Sequence, residues 1–293
     1  MLRVPAVADL RRRACEPGAV AAKVRPVSSN FTCIGIELNS AEDMEALVDK
    51  VSDQAEAAAV PGGMYLVWAG DGPELWLQLD AEDQLIGMNP HFAGPTRMRL
   101  GIVAPIERPG QSELDGSFYA WVNPTTEDPA SGEYPLVFDC PDSAMHDELE
   151  LPCVATVQLA GFAHHLEIWD SVAEFDRARG GDDTQLASRA FIPAGLLRPD
   201  GVDDPPPPVA YAIINGHVLA AEVRENPLTG LRYQWAALAT HGGTLDVVAP
   251  MRLVTREIRE GSVLSGGFWI SGLILGEDDE DEDLHGHAHG AAT

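Results

Sequence analysis

Apolar residues recur along this chain mostly at every second position, in short runs broken by Gly- and Pro-rich turns, so the dominant signal is that of strands. Residues 64–68, 74–80, 97–104, 116–122, 134–138 and 154–168 carry it most clearly. In 74–80, Leu75, Leu77 and Leu79 share one face while Glu74, Trp76, Gln78 and Asp80 share the other, which assigns the leucines to a core. Residues 31–38 also alternate and predict a strand. Helical spacing occurs twice. Ser40-Ala-Glu-Asp43 has the form of a capping box ahead of Met44, Leu47, Val48 and Val51, and Ser171-Val-Ala-Glu174 caps a shorter segment bearing Val172, Phe175 and Ala178.

These elements predict an α+β, β-rich protein in five parts. Residues 1–27 show no period and read as a disordered lead or as the product of an upstream start codon. Residues 28–179 form an α+β domain with a strand-helix-three-strand start. Residues 180–208 are rich in Gly, Asp and Pro, end in four consecutive prolines and predict a linker, although Phe191-Ile-Pro-Ala-Gly-Leu-Leu197 is apolar enough to pack on a domain. Residues 209–275, with strands at 210–224, 232–240, 244–249 and 263–275, suggest an OB-like five-stranded β-barrel. Residues 276–293 read as a disordered acidic and histidine-bearing tail. One internal echo stands out: Ser112-x-Leu114-x-Gly116-x-Phe118-Tyr119 repeats as Ser262-x-Leu264-x-Gly266-x-Phe268-Trp269, preceded by Val103-Ala-Pro105 and Val248-Ala-Pro250, as two similar β modules would.

Composition narrows the function classes. A net charge of −27 opposes binding to nucleic-acid backbone or an anionic membrane, since nothing would displace the counterions of the phosphates. With only Lys23 and Lys50 as lysines, the acidity reads first as a whole-composition bias. No stretch has the length of a membrane span or the apolar core of a secretory signal, and the expected location is the cytoplasm. The four cysteines form no C-x-x-C pair, and Cys140 and Cys153 are expected to be reduced. The chain contains no G-x-G-x-x-G, no phosphate-cradling loop, no G-x-S-x-G and no H-E-x-x-H.

Candidate chemistry is sparse. His165 and Glu167 lie two positions apart on one face of a strand, a usable metal-ligand spacing, whereas His164 falls in with Phe162, Leu166 and Ile168 as a core histidine. In the tail, seven acids precede His285, His287 and His289, which predicts at most weak, exchangeable binding of a transition metal; no other cofactor is expected. Asn89-Pro-His-Phe92 reads as a tight turn with Phe92 in the core, and Trp76, Gln78 and His91 would line a ligand groove if their face is open.

Taken together, residues 73–80, 89–92, 191–195 and 267–272 resemble a pattern in a family of uncharacterised bacterial proteins of unknown function, over about residues 28–275. The order of elements in residues 31–80 also resembles half of a glyoxalase-like module, which implies a metal on paired histidines and glutamates with Glu74 at a ligand position. The leading expectation is a non-enzymatic binding or interaction protein whose protein or small-molecule partner the sequence does not name. The first alternative is a metal-dependent enzyme using Glu74, His91, His165 and Glu167. The second is an acidic protein that neutralises a basic partner and gathers carboxylates on one face.

Overall fold

A computed structural model of the chain describes residues 28–125, 128–179, 187–197 and 206–277. Among them are three α-helices and thirteen strands in two sheets. The expected separate lead and the histidine tail, with His285, His287 and His289, lie outside the described residues.

The first described element is a helix, α1 (Ser28–Cys33), where alternation predicts a strand. Gly35 is the reason. It has φ 74°, its N–H bonds the Thr32 carbonyl at 3.2 Å, and the Ile36 N–H bonds the Phe31 carbonyl at 3.0 Å, the paired closure of a Schellman motif. Any side chain at Gly35 would run into the Leu231 carbonyl. The second helix, α2 (Ala41–Ser52), follows its capping box: the Ser40 hydroxyl accepts from the Asp43 N–H, the Asp43 carboxylate accepts from the Ser40 N–H, and Met44, Leu47, Val48 and Val51 are buried. The start is therefore helix, helix and a four-stranded antiparallel meander of β1 (Glu56–Val60), β2 (Gly63–Ala69), β3 (Pro73–Asp80) and β4 (Leu85–Phe92). Leu75, Leu77 and Leu79 enter a core with Phe31 and Val48 from the helices and Ile34 from the turn between them.

The larger sheet contains β5 (Met98–Pro105), β6 (Gly116–Val122), β7 (Pro135–Cys140), β8 (Cys153–Trp169), β9 (Ala190–Ile192), β10 (Tyr211–Glu225), β11 (Arg232–Thr240), β12 (Gly243–Pro250) and β13 (Val263–Glu277). A third helix, α3 (Val172–Arg179), follows β8. Strands β5, β6 and β7 are antiparallel neighbours, β5 pairs antiparallel with β8, and β7 pairs parallel with β13. Strands β10, β11 and β12 are likewise antiparallel neighbours, β10 pairs antiparallel with β13, and β12 pairs parallel with β8. A long antiparallel ladder joins β8 to β13, from Val263 opposite Trp169 to Glu277 opposite Ala155. Exchanging β5–β8 for β10–β13 leaves this set of pairings unchanged, so the sheet is built from two four-stranded modules that trade their last strands.

Two expectations change here. Residues 209–275 hold four strands, where five are expected, and those strands are hydrogen-bonded to strands that precede residue 180. The sequence echo also falls on non-equivalent strands, since Phe118 is in β6 and Phe268 in β13, whereas the pairing pattern matches β6 with β11. Between the modules, Phe191 is buried and stacks on Tyr134 with centroids 5.0 Å apart. No helix among the described residues is long and apolar enough to cross a membrane.

Candidate functional site

A cleft of about 690 Å³ opens between the loop that joins β5 to β6 and the turn that follows β7. It continues past Arg108, Gln111, Asp115 and Gly116 into a narrower hollow of about 190 Å³ against Asp139, Cys140 and Trp269. The β5–β6 loop is held in place by the first sheet. Tyr65 Oη donates to the Leu114 carbonyl at 2.7 Å and accepts from the Ala144 N–H at 3.1 Å, tying both walls together. Gln78 Nε2 donates to Asp115 at 2.6 Å, Asn89 Nδ2 donates to the same oxygen at 2.8 Å, and Ser112 Oγ donates to Gln78 Oε1 at 2.9 Å. Leu114 packs with Tyr65, Trp76, Ala144 and Leu273. At Gly116 the backbone passes so close to Ser143 that a Cβ would take the place of its side chain.

Arg108 sits where the two hollows meet. Its Nη1 donates to Asp139 Oδ1 at 2.7 Å and its Nε to the Pro208 carbonyl at 3.0 Å, while the buried Nη2 has no acceptor among the described residues. Asp139 also accepts from Ser117 Oγ at 2.7 Å and from Trp269 Nε1 at 2.6 Å, so the guanidinium's charge is already matched by a well-bonded carboxylate. Glu107, Glu113, Asp115 and Asp147 line the wider hollow, with Ile106, Phe118 and Leu149 as its apolar part.

A second cluster stands at the same opening. Cys140 Sγ lies 3.0 Å from Asp142 Oδ1, and Asp142 Oδ2 lies 2.9 Å from His146 Nε2. The ligand atoms of all three residues fall within 4.8 Å of one another, the one such group of His, Cys, Asp and Glu among the described residues. Burial, with the Asp142 charge beside it, holds the Cys140 thiol well above its ordinary pKa. Cys140 is a free thiol.

The residues singled out from sequence are placed differently. Trp76 and Gln78 do share a face, but that face is covered: Trp76 is 8% exposed and Gln78 fully buried, and both anchor the β5–β6 loop instead of lining an open groove. His91 belongs to strand β4 and not to a turn, because its backbone pairs with Glu74 in the β3–β4 ladder; Phe92 is in the core as expected. The His91 ring is fully buried between the sheets, 2.6 Å from Gln158 Oε1 and 2.8 Å from Ser271 Oγ. Gln158 Nε2 donates to the Leu159 carbonyl and towards Asp246, so its oxygen faces the ring; His91 Nε2 therefore carries the proton and Nδ1 accepts from the Ser271 hydroxyl. Burial lowers the His91 pKa to about 4. Asp246 closes the chain of bonds, accepting from Trp235 Nε1 at 2.8 Å, from the Thr96 N–H at 3.0 Å and from the Thr96 hydroxyl at 2.7 Å.

His165 and Glu167 do not form part of any group of three potential ligands among the described residues, and Glu167 pairs with Arg179 at 2.8 Å. His164 is exposed and bonds Asn30 at 2.7 Å, contrary to its expected core position. A bulge opposite Gly267 and Phe268 shifts the alternation of β8, so that Ala163 and Leu166, three positions apart, enter the same core while His164 and His165 between them are both exposed. Glu74 accepts from Trp76 Nε1 at 2.9 Å, and burial raises its pKa. Glu74, His91 and Glu167 thus have separate side-chain partners, and no three of Glu74, His91, His165 and Glu167 form a group of potential ligands among the described residues. The residues that do converge, Arg108, Asp139, Cys140, Asp142 and His146, carry one local signal, the C-x-D-x-x-x-H spacing, which a search for C-x-x-C passes over. Comparison of the chain with protein-family models gives no match, and comparison with curated proteins gives none either.

Proposed function

We propose that this chain is a binding protein whose site is the cleft at Arg108, and that its ligand is a small polar molecule, neutral or cationic, presenting an acceptor oxygen. The observation that carries this reading is the buried Arg108 Nη2, which has no acceptor among the described residues. A buried donor left unbonded costs about 1–3 kcal/mol, so a ligand oxygen that accepts from Nη2 would offset that cost. The charge balance selects the class. Arg108 is matched by Asp139, and four further carboxylates line the wider hollow, so an anion meets net repulsion while a hydroxyl, carbonyl or amine does not. Those same carboxylates support a second reading, in which a basic side chain of a protein partner enters the cleft.

Saturation-transfer NMR on the full chain tests the first reading, with monosaccharides, polyols, amino alcohols and matched carboxylates as probes. Signals from neutral or cationic probes that vanish in Arg108→Met are expected. Signals from carboxylates alone, from no probe, or unchanged in Arg108→Met overturn it.

A further inference from the structure

The Cys140, Asp142 and His146 cluster supports an inference that goes beyond ligand binding in the cleft. We propose that these three side chains form a site for one divalent transition ion of the zinc class. The donor set is thiol, carboxylate and imidazole, which favours a borderline ion over calcium or magnesium. Three protein ligands leave a fourth position vacant in a tetrahedral shell. That position opens on the cleft, because His146 lines the wider hollow and Cys140 the narrower one.

The ligands are carried by backbone that does not depend on them. Cys140 ends β7, held by its pairing with Gly116. The turn Ser143–His146 is fixed by Tyr65 Oη on the Ala144 N–H, by Ser143 Oγ on the Leu114 carbonyl at 3.2 Å, and by the Met145 N–H on the Asp142 carbonyl at 2.8 Å. The three side chains bond one another, Cys140 to Asp142 at 3.0 Å and Asp142 to His146 at 2.9 Å. Electrostatics points the same way: Asp142 is 7% exposed, and among the described residues its ion pair is with His146, a ring charged only when protonated. A cation between the three would match the carboxylate and replace the thiol proton, which leaves to solvent, while the imidazole keeps its proton on Nδ1 and offers Nε2.

The test is titration of the purified, untagged full chain with Co²⁺, followed by absorbance, in wild type, Cys140→Ser, His146→Ala, and a variant with His285, His287 and His289 all changed to Ala. One Co²⁺ per chain is expected, with the near-ultraviolet thiolate-to-cobalt band and visible bands of a four-coordinate ion. His146→Ala should weaken binding by at least about tenfold, and Cys140→Ser should abolish the thiolate band, while the tail variant keeps both. His146 is partly exposed, so His146→Ala should retain the wild-type fold by circular dichroism, which secures the comparison should Cys140→Ser misfold. Absence of a thiolate band in the wild type, or metal lost only with the tail histidines, overturns the proposal. Neither outcome bears on the Arg108 anchor, whose NMR test is run without metal.

Discussion

Two polar clusters lie within the same molecule and differ in completeness. In the first, between the sheets, His91, Gln158, Ser271 and Asp246 are all buried and each hydrogen-bonding group described has its partner, from the Ser271 hydroxyl through the imidazole and amide to a carboxylate that accepts from Trp235 and Thr96. In the second, at the cleft, Arg108 keeps a buried donor with no acceptor among the described residues, and Cys140, Asp142 and His146 bring their ligand atoms within 4.8 Å of one another. A closed network spends all its bonds on the fold, whereas an open one keeps some for something else. The difference puts the histidine that the sequence favours as a ligand inside a closed network, and it is the ground on which we propose Arg108, which the sequence does not single out, as a binding residue.

The sharpest break of this contrast would come from Asp246→Ala. It leaves the Trp235 indole and the Thr96 amide without their acceptor in the interior and should cost about 4 kcal/mol by denaturant unfolding. Acid should act through the same cluster. The His91 pKa is near 4 in the fold against about 6.5 in the unfolded chain, so between those values the unfolded state binds more protons. Its contribution is full above pH 6.5 and is lost as pH falls towards 4, by about 3 kcal/mol in total. That part of the pH dependence should vanish in His91→Gln, measured as the difference between the two stability curves. At the cleft, Gly116→Val should displace Ser143 and cost about 2 kcal/mol, with loss of any probe binding. Arg108→Met should change stability by less than about 1 kcal/mol, because Asp139 retains Ser117 and Trp269 as donors. If Arg108→Met proves as damaging as Asp246→Ala, the two clusters are of one kind and the contrast fails. The smallest effect is expected from His165→Ala, within about 0.5 kcal/mol, since His165 is exposed.

What the sequence made legible is what short-range chemistry determines. The α2 capping box and the leucine face of β3 are local, and both stand as read. Strand β1, Glu-Ala-Ala-Ala-Val, carries no strand propensity of its own and is extended because it pairs with β2. The helix α1 and the outward turn of His164 each depend on one backbone irregularity, Gly35 in the left-handed region and the bulge against β13, that shifts a hydrophobic period. The β-rich class was readable; the trading of β8 and β13 was not, since periodicity identifies strands without naming their partners. The orphan at Arg108 is less visible still, because it depends on where Asp139 and Pro208 arrive from distant parts of the chain.

The exchange of final strands between the two modules has a consequence for how this protein is made. β8 holds an apolar run of Leu159, Ala160, Gly161, Phe162 and Ala163, and its antiparallel partner β13 begins roughly a hundred residues later. At ribosomal speeds of about 5–20 residues per second, that strand waits on the order of 5–20 seconds with a bare edge. Nascent chains are therefore expected to need a chaperone during this interval, and a stalled or truncated chain ending before Val263 should aggregate through β8.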